Sequence, residues 1–226
     1  MKLTKHAQSC FLIETNGKRI LIDPGKYVFD KKVEGLDPGQ FKDIDILLLT
    51  HRHHDHCFPE ALKVIQKNNL KMKIYCNKEV EEILKKEGIK CNVVKVGNTM
   101  KEGGVKIDVV KALHGYKSDM LDINFPKENN GYLIESENKR IYHTSDTIGF
   151  YTDLKTDILL IPICGNGVVF EPKEAVEWCE MIKPGLVIPM HYDGLRHLTG
   201  TERFEGYIKK TDLKYKIIRN GETIEV

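Results

Sequence analysis

Between Thr50 and Cys57 the chain reads Thr-His-Arg-His-His-Asp-His-Cys, which puts four of the nine histidines of the 226-residue sequence within six positions. Imidazole nitrogens and a carboxylate together suit Zn, Mn or Fe. In an extended segment residues two apart point the same way, so His51 and His53 can share one ion while a turn swings Asp55 and His56 toward a second. The apolar run Ile46–Leu49 ends just before the cluster and Pro59 opens a helical pattern just after it. The histidines therefore belong to a strand-to-helix turn, not to a solvated surface tract.

The same placement recurs along the chain. Asp23 follows Ile20–Ile22, His114 follows Val109–Leu113, Asp146 follows Ile141–Thr144 and His191 follows Val187–Met190. Residues able to bind a metal thus stand at the C-terminal ends of buried-looking strands, where α/β sheets assemble their sites. Tyr192 and His197 come just after His191 and are candidates to meet an oxyanion or a substrate phosphate. His6, His54 and His143 read as packing or surface histidines, and Gly165-Asn166-Gly167 reads as a turn that needs permissive backbone.

Short strands are expected at Lys2–Thr4, Cys10–Glu14 and Arg19–Ile22, the last two joined across Asn16-Gly17. Residues 26–43 are expected as loop, and Ile46–Leu49 as a strand buried on both faces. A helix over Pro59–Lys67, a strand over Met72–Cys76 and a helix over Lys78–Lys86 follow from apolar spacing. Strands are expected at Asn92–Val96 and Val105–Leu113, a hairpin from Gly131–Glu135 and Arg140–Thr144, and buried strands at Ile158–Pro162 and Leu186–Met190. Pro172–Ile182 reads as a helix with proline in its first turn, and the tail as helix then strand. This order favours a four-layer α/β/β/α sandwich of two mixed sheets flanked by helices, in one domain spanning 1–226.

With 41% hydrophobic and 30% charged residues the chain has material for a core and a hydrated surface. Its net charge of +2 gives no footprint for nucleic acid or for a membrane surface. The first residues turn polar too soon for a signal peptide, and no apolar run approaches the ~18 residues of a membrane span, so a cytoplasmic protein is expected. Six cysteines without a CxxC pair are expected as free thiols. No coiled-coil repeat marks an oligomeric state.

The residues His51, His53, Asp55 and His56 match the HxHxDH signature of the metallo-β-lactamase superfamily, which this sequence resembles over nearly its whole length. Asp23-Pro24, His114, Ser145-Asp146-Thr147 and Pro189-Met190-His191-Tyr192 follow in the family's order. Ile161-Pro162-Ile163 and Met190-His191-Tyr192 look closest to its L-ascorbate-6-phosphate lactonase-like branch. The resemblance implies a dinuclear centre, with His51, His53 and His114 on one divalent ion, Asp55, His56 and His191 on the other, and Asp146 bridging. Zinc is the first choice, manganese or iron the alternatives. Asp23 would steady a ligand or bound water by hydrogen bonding.

Two ions about 3.5–4 Å apart can hold a bridging water of lowered pKa while one polarises the scissile bond. Asp55 would then orient the nucleophile and carry a proton. The reaction implied is hydrolysis of an ester, lactone or related bond in a small polar metabolite. That metabolite is anionic if Lys26, Lys117 and Lys127, in the loops 26–43 and 116–130, face it. Phosphodiester cleavage and a non-catalytic metal-binding scaffold are the alternatives. RNA-processing members usually add an RNA-binding arm, and flavin-linked members usually place Glu at the position of His53; this chain has neither. Ser145 stands where Gly is usual, Cys164-Gly165-Asn166-Gly167 differs from the branch's usual segment, and Ala7-Gln8 replaces its frequent Gly-His. These departures bear on the substrate more than on the chemistry.

Overall fold

The computed structural model describes residues 1–115, 125–149, 153–195 and 197–226, the side chains of 197 and 198 excepted. One sheet holds β1 (Lys2–Lys5), β2 (Phe11–Thr15), β3 (Lys18–Ile22), β4 (Ile46–Leu48), β5 (Lys73–Cys76) and β6 (Asn92–Val93) in that spatial order, with the C-terminal strand Thr223–Glu225 beside β1. The other holds β7 (Thr99–Glu102), β8 (Val105–Lys111), β9 (Asn130–Ser136), β10 (Lys139–His143), β11 (Ile158–Pro162) and β12 (Leu186–Met190), spatially β12-β11-β10-β9-β8-β7. A small hairpin of β13 (Asp193–Gly194) and β14 (His197–Leu198) follows β12, and Thr223–Glu225 is β15.

Apolar runs without alternation become strands covered on both faces. Phe11, Ile13, Ile20, Ile22, Ile46 and Leu48 face Ile107, Tyr132, Ile134, Ile141, Leu160 and Ile188 in the core between the sheets. Leu21, Leu47 and Leu49 face outward, onto Leu62 and Ile65 of α2 (Pro59–Asn68) and Val80 and Leu84 of α3 (Lys78–Lys86). On the far side Leu159, Ile161 and Val187 pack on Ala175, Val176 and Cys179 of α4 (Pro172–Ile182) and on Phe204 and Ile208 of α5 (Glu202–Ile208). The result is the expected α/β/β/α sandwich. Truncating one of these buried aliphatic side chains to Ala would cost about 2–5 kcal/mol.

Local chemistry sets the ends of the helices. Asn77 Oδ1 accepts from Val80 N at 3.0 Å to start α3, and Glu171 and Glu174 cap α4 reciprocally ahead of Pro172. Two sequence expectations need correction, and one strand was not foreseen. Residues 26–43 contain a short helix, α1 (Lys26–Phe29), and a 3-10 turn, Pro38–Gln40, begun by Asp37 accepting from Gly39 N. The strand expected over Asn92–Val96 stops at Val93, because Asn98 Oδ1 accepts from Lys95 N and turns the chain toward the second sheet. There β7, with the single buried residue Met100, pairs with β8 across Gly103-Gly104, a strand too polar for its pattern to announce it. No helix among the described residues is long and apolar enough to cross a membrane.

Candidate metal centre

Strand direction brings the ligand candidates together. β3 and β4 run parallel; β8 and β10 are both antiparallel to β9 and so share a direction, and β10, β11 and β12 are parallel. The C-terminal ends of β3, β4, β8, β10 and β12 are followed by Asp23, His51, His114, Asp146 and His191. Crosslinks join the two sheets at this edge: Asn130 N donates to Thr50 O at 3.0 Å and Tyr132 OH to Leu49 O at 2.8 Å. Ile148 N donates to Leu113 O at 2.8 Å, and Leu113 N to Thr147 Oγ1 at 3.1 Å, pinning the His114 and Asp146 segments to each other.

Asp23, fully buried at φ 46°, organises the histidine turn. Its carboxylate accepts from Thr50 N at 2.8 Å, from Thr50 Oγ1 at 2.6 Å and from His56 Nδ1 at 2.7 Å. Because the Thr50 hydroxyl gives its proton to Asp23, its oxygen accepts from His51 Nδ1 at 3.0 Å. Both histidines are thereby fixed in the tautomer that leaves Nε2 free to bind a metal. His114 reaches the same state by donating Nδ1–H to Gly115 O at 2.8 Å, and His191 Nδ1 lies 3.3 Å from Cys164 Sγ.

Two groups of ligand atoms result, His51, His53, His114 and Asp146 in one and Asp55, His56 and His191 in the other, each lying within 4.8 Å of one another. Asp146 also reaches the second group, 3.3 Å from His56 Nε2 and 3.1 Å from His191 Nε2. His56 Nε2, His114 Nε2 and Asp146 Oδ1 are buried without a hydrogen-bond partner, which protein interiors rarely tolerate. Convergent imidazoles and carboxylates with such orphaned atoms fit divalent ions.

The electrostatics agree. Burial pushes the His51 and His114 imidazoles down. Burial would also lower His56, but Asp146, Asp23 and Asp55 outweigh it and carry the imidazole up to about 10. Burial is likewise overcome at Asp146, where His191 and His56 hold the carboxyl well below its usual range. The cluster of carboxylates calls for positive charge, which divalent ions supply.

The Asp55 side chain is 21% exposed. His54 is exposed and outside both groups, Lys26 and Lys127 are exposed, and Lys117 lies outside the described residues. Tyr192 does not reach the centre: its hydroxyl donates to Ile218 O at 3.0 Å, and its ring packs in the outer core under Lys5 Nζ. The backbone of His197 forms β14, and its side chain lies outside the described residues. Sequence reasoning missed Thr50, whose lone hydroxyl after an apolar run carries no pattern. It also missed Cys164 and Asn129, the latter accepting from Ser145 Oγ at 2.6 Å beside Asp146.

Residues 2–191 match the model of the β-lactamase superfamily domain. A UPF0173 metal-dependent hydrolase of Thermoplasma acidophilum is 30% identical over 85% of this chain and 84% of its own length. Another, from Anoxybacillus flavithermus, is 29% identical with all of both chains covered. Igni18, a metallo hydrolase of Ignicoccus hospitalis, superposes with a TM-score of 0.78 at 23% identity, covering 100% of this chain and 98% of that one.

Proposed function

The chain belongs to the UPF0173 metal-dependent hydrolase family of the metallo-β-lactamase superfamily, and we propose that it opens an ester, lactone or related acyl bond of a small polar metabolite at a two-metal centre. The observation that carries this reading is the place of Asp146, which belongs to one candidate ligand group and lies 3.1 Å from His191 Nε2 of the other. His51, His53 and His114 would hold one ion and Asp55, His56 and His191 the other. Zinc, manganese and iron all suit these ligands. When bound, such ions supply Lewis acidity to the scissile carbonyl and lower the pKa of water.

The chain's own residues supply the rest. Asp23 and Thr50 hold His51 and His56 in their ligand tautomers. Asp55, 3.3 Å from His191 Nε2 and open on one side, takes the proton of the attacking water and passes it to the leaving oxygen. Phe125 packs against His114 in a T-shaped contact, with ring centroids 5.9 Å apart. Exposed Lys26 and Lys127 draw an anionic substrate toward this edge.

The experiment is elemental analysis of chain purified without chelator, for wild type and for His51→Ala with His53→Ala, followed by turnover of lactones, esters and phosphodiesters. About two metals per chain, lost in the variant, with acyl substrates hydrolysed, is the expected result. Failure to bind metal after reconstitution would overturn the proposal, and cleavage of phosphodiesters alone would replace the substrate class. Asp55→Ala with full metal and undiminished turnover would remove the proton role.

A further inference from the structure

The turn between β1 and β2 holds a group that the two-metal reading does not use. Gln8 is fully buried at φ 60°, and both atoms of its carboxamide, Oε1 and Nε2, lack a hydrogen-bond partner. A buried amide with neither half paired is costly, and such groups persist where function needs them. Its backbone is held firmly: Gln8 N donates to Asp193 Oδ1 at 2.7 Å and Gln8 O accepts from His191 N at 3.2 Å. Asp193 Oδ2 in turn accepts from the buried Lys5 Nζ at 2.8 Å. The turn is thus bolted to the segment that carries His191.

The position of the side chain follows from its neighbours. A Cβ on Gly194 would lie 1.6 Å from Gln8 Nε2 and 3.3 Å from Tyr27 Cε2, so the amide occupies the space that glycine leaves beside Tyr27. Tyr27 lies in the short helix that follows Gly25, whose own Cβ would lie 1.8 Å from Asp55 O. The amide therefore stands beside Gly194 and Tyr27, next to the segment that carries His191.

We infer that Gln8 is a specificity-determining residue, whose carboxamide receives a neutral amide-like group of the substrate beside the scissile acyl bond. The inference rests on the acyl-hydrolase reading above. A carboxamide presents one donor and one acceptor side by side, and its complement presents the same pair. A phosphate dianion offers only acceptors and would leave Oε1 facing lone pairs. A site built to bond a polar group rejects analogues that lack it far more strongly than an apolar pocket rejects an added group.

The test uses the 4-nitrophenyl esters of N-acetylglycine and of 4-methylpentanoic acid, which share a shape and differ in the amide. With metal-loaded wild type, kcat/KM for the amide ester should exceed that for its apolar counterpart by about tenfold or more, a difference of about 1.4 kcal/mol. Gln8→Met should collapse that ratio toward unity. Gly194→Ala, which pushes a methyl into the amide's place, should do the same and covers the case in which Gln8→Met fails to fold. An unchanged ratio in folded, metal-replete variants, as expected if a buried water is the amide's only partner, would overturn the inference. If wild type cleaves neither ester, the acyl-hydrolase reading fails by itself, and calorimetric titration with N-acetylglycinamide decides the matter. Saturable binding lost in Gln8→Met supports the role of Gln8, and no binding to wild type overturns it.

Discussion

The two sheets bring their candidate ligands to the centre in different ways. From the first, His51, His53, Asp55 and His56 arrive on one turn after β4, and a single carboxylate, Asp23, anchors that turn through Thr50 and His56. From the second, His114, Asp146 and His191 come from three separate strand ends, each with its own support: Gly115 O, the Ser145–Asn129 pair and Cys164 Sγ. Precision in the first half is local and shared. In the second it comes from strand register, one ligand at a time. A defect should spread through the first half and stay confined in the second.

The largest effect is expected for Asp23→Ala. It strands the amide and hydroxyl of Thr50 and frees Nδ1 of His56, and should lower unfolding free energy by about 3 kcal/mol or more in chemical denaturation. Metal affinity should fall about 10–100-fold. If Asp23→Ala costs no more than a change at a single-ligand support in the second half, the contrast breaks. Asn77→Ala comes next. Asn77 caps α3 and donates to Thr50 O and Glu128 O, both at 3.0 Å, so its loss should cost about 1–2 kcal/mol.

Cys164→Ala removes only a weak sulfur contact to His191 and should cost roughly 1 kcal/mol or less. It should weaken one metal position and spare the other, which stepwise metal titration would reveal. Ser145→Gly sets a lost hydrogen bond to Asn129 against relief of a left-handed backbone at φ 62°, and should change stability by less than about 1 kcal/mol.

The same contrast governs what the sequence disclosed. The histidine turn was legible because its ligand candidates are contiguous and their spacing is itself the signal. His114, Asp146 and His191 were legible only as polar residues closing apolar runs, and their convergence depends on strand directions that no local pattern encodes. Tyr192 was misread for a geometric reason: His191 adopts φ 57°, and the chain turns there so that the next ring enters the outer core against Ile218. Lys5 sits on a strand of mixed polarity, yet its ammonium is wholly buried on His6 O, Asp193 and Asn220. Those partners lie up to 215 positions away, so composition gives no hint of them.

Four non-glycine residues around the centre, Gln8, Asp23, Ser145 and His191, adopt left-handed backbone with φ between 46° and 62°. Directed evolution for heat resistance would be drawn to these positions, since glycine there relieves about 1–2 kcal/mol of strain each. At three of them the side chain would be a ligand, a brace or a recognition group on the reading proposed above, so any variant selected for melting temperature alone would drift toward a robust but inert scaffold. Ser145 is the exception, its strain separable from its task. Glycine there trades that strain for the hydrogen bond to Asn129, so selection that keeps turnover should tolerate it and find its stability on the distant faces of the helices.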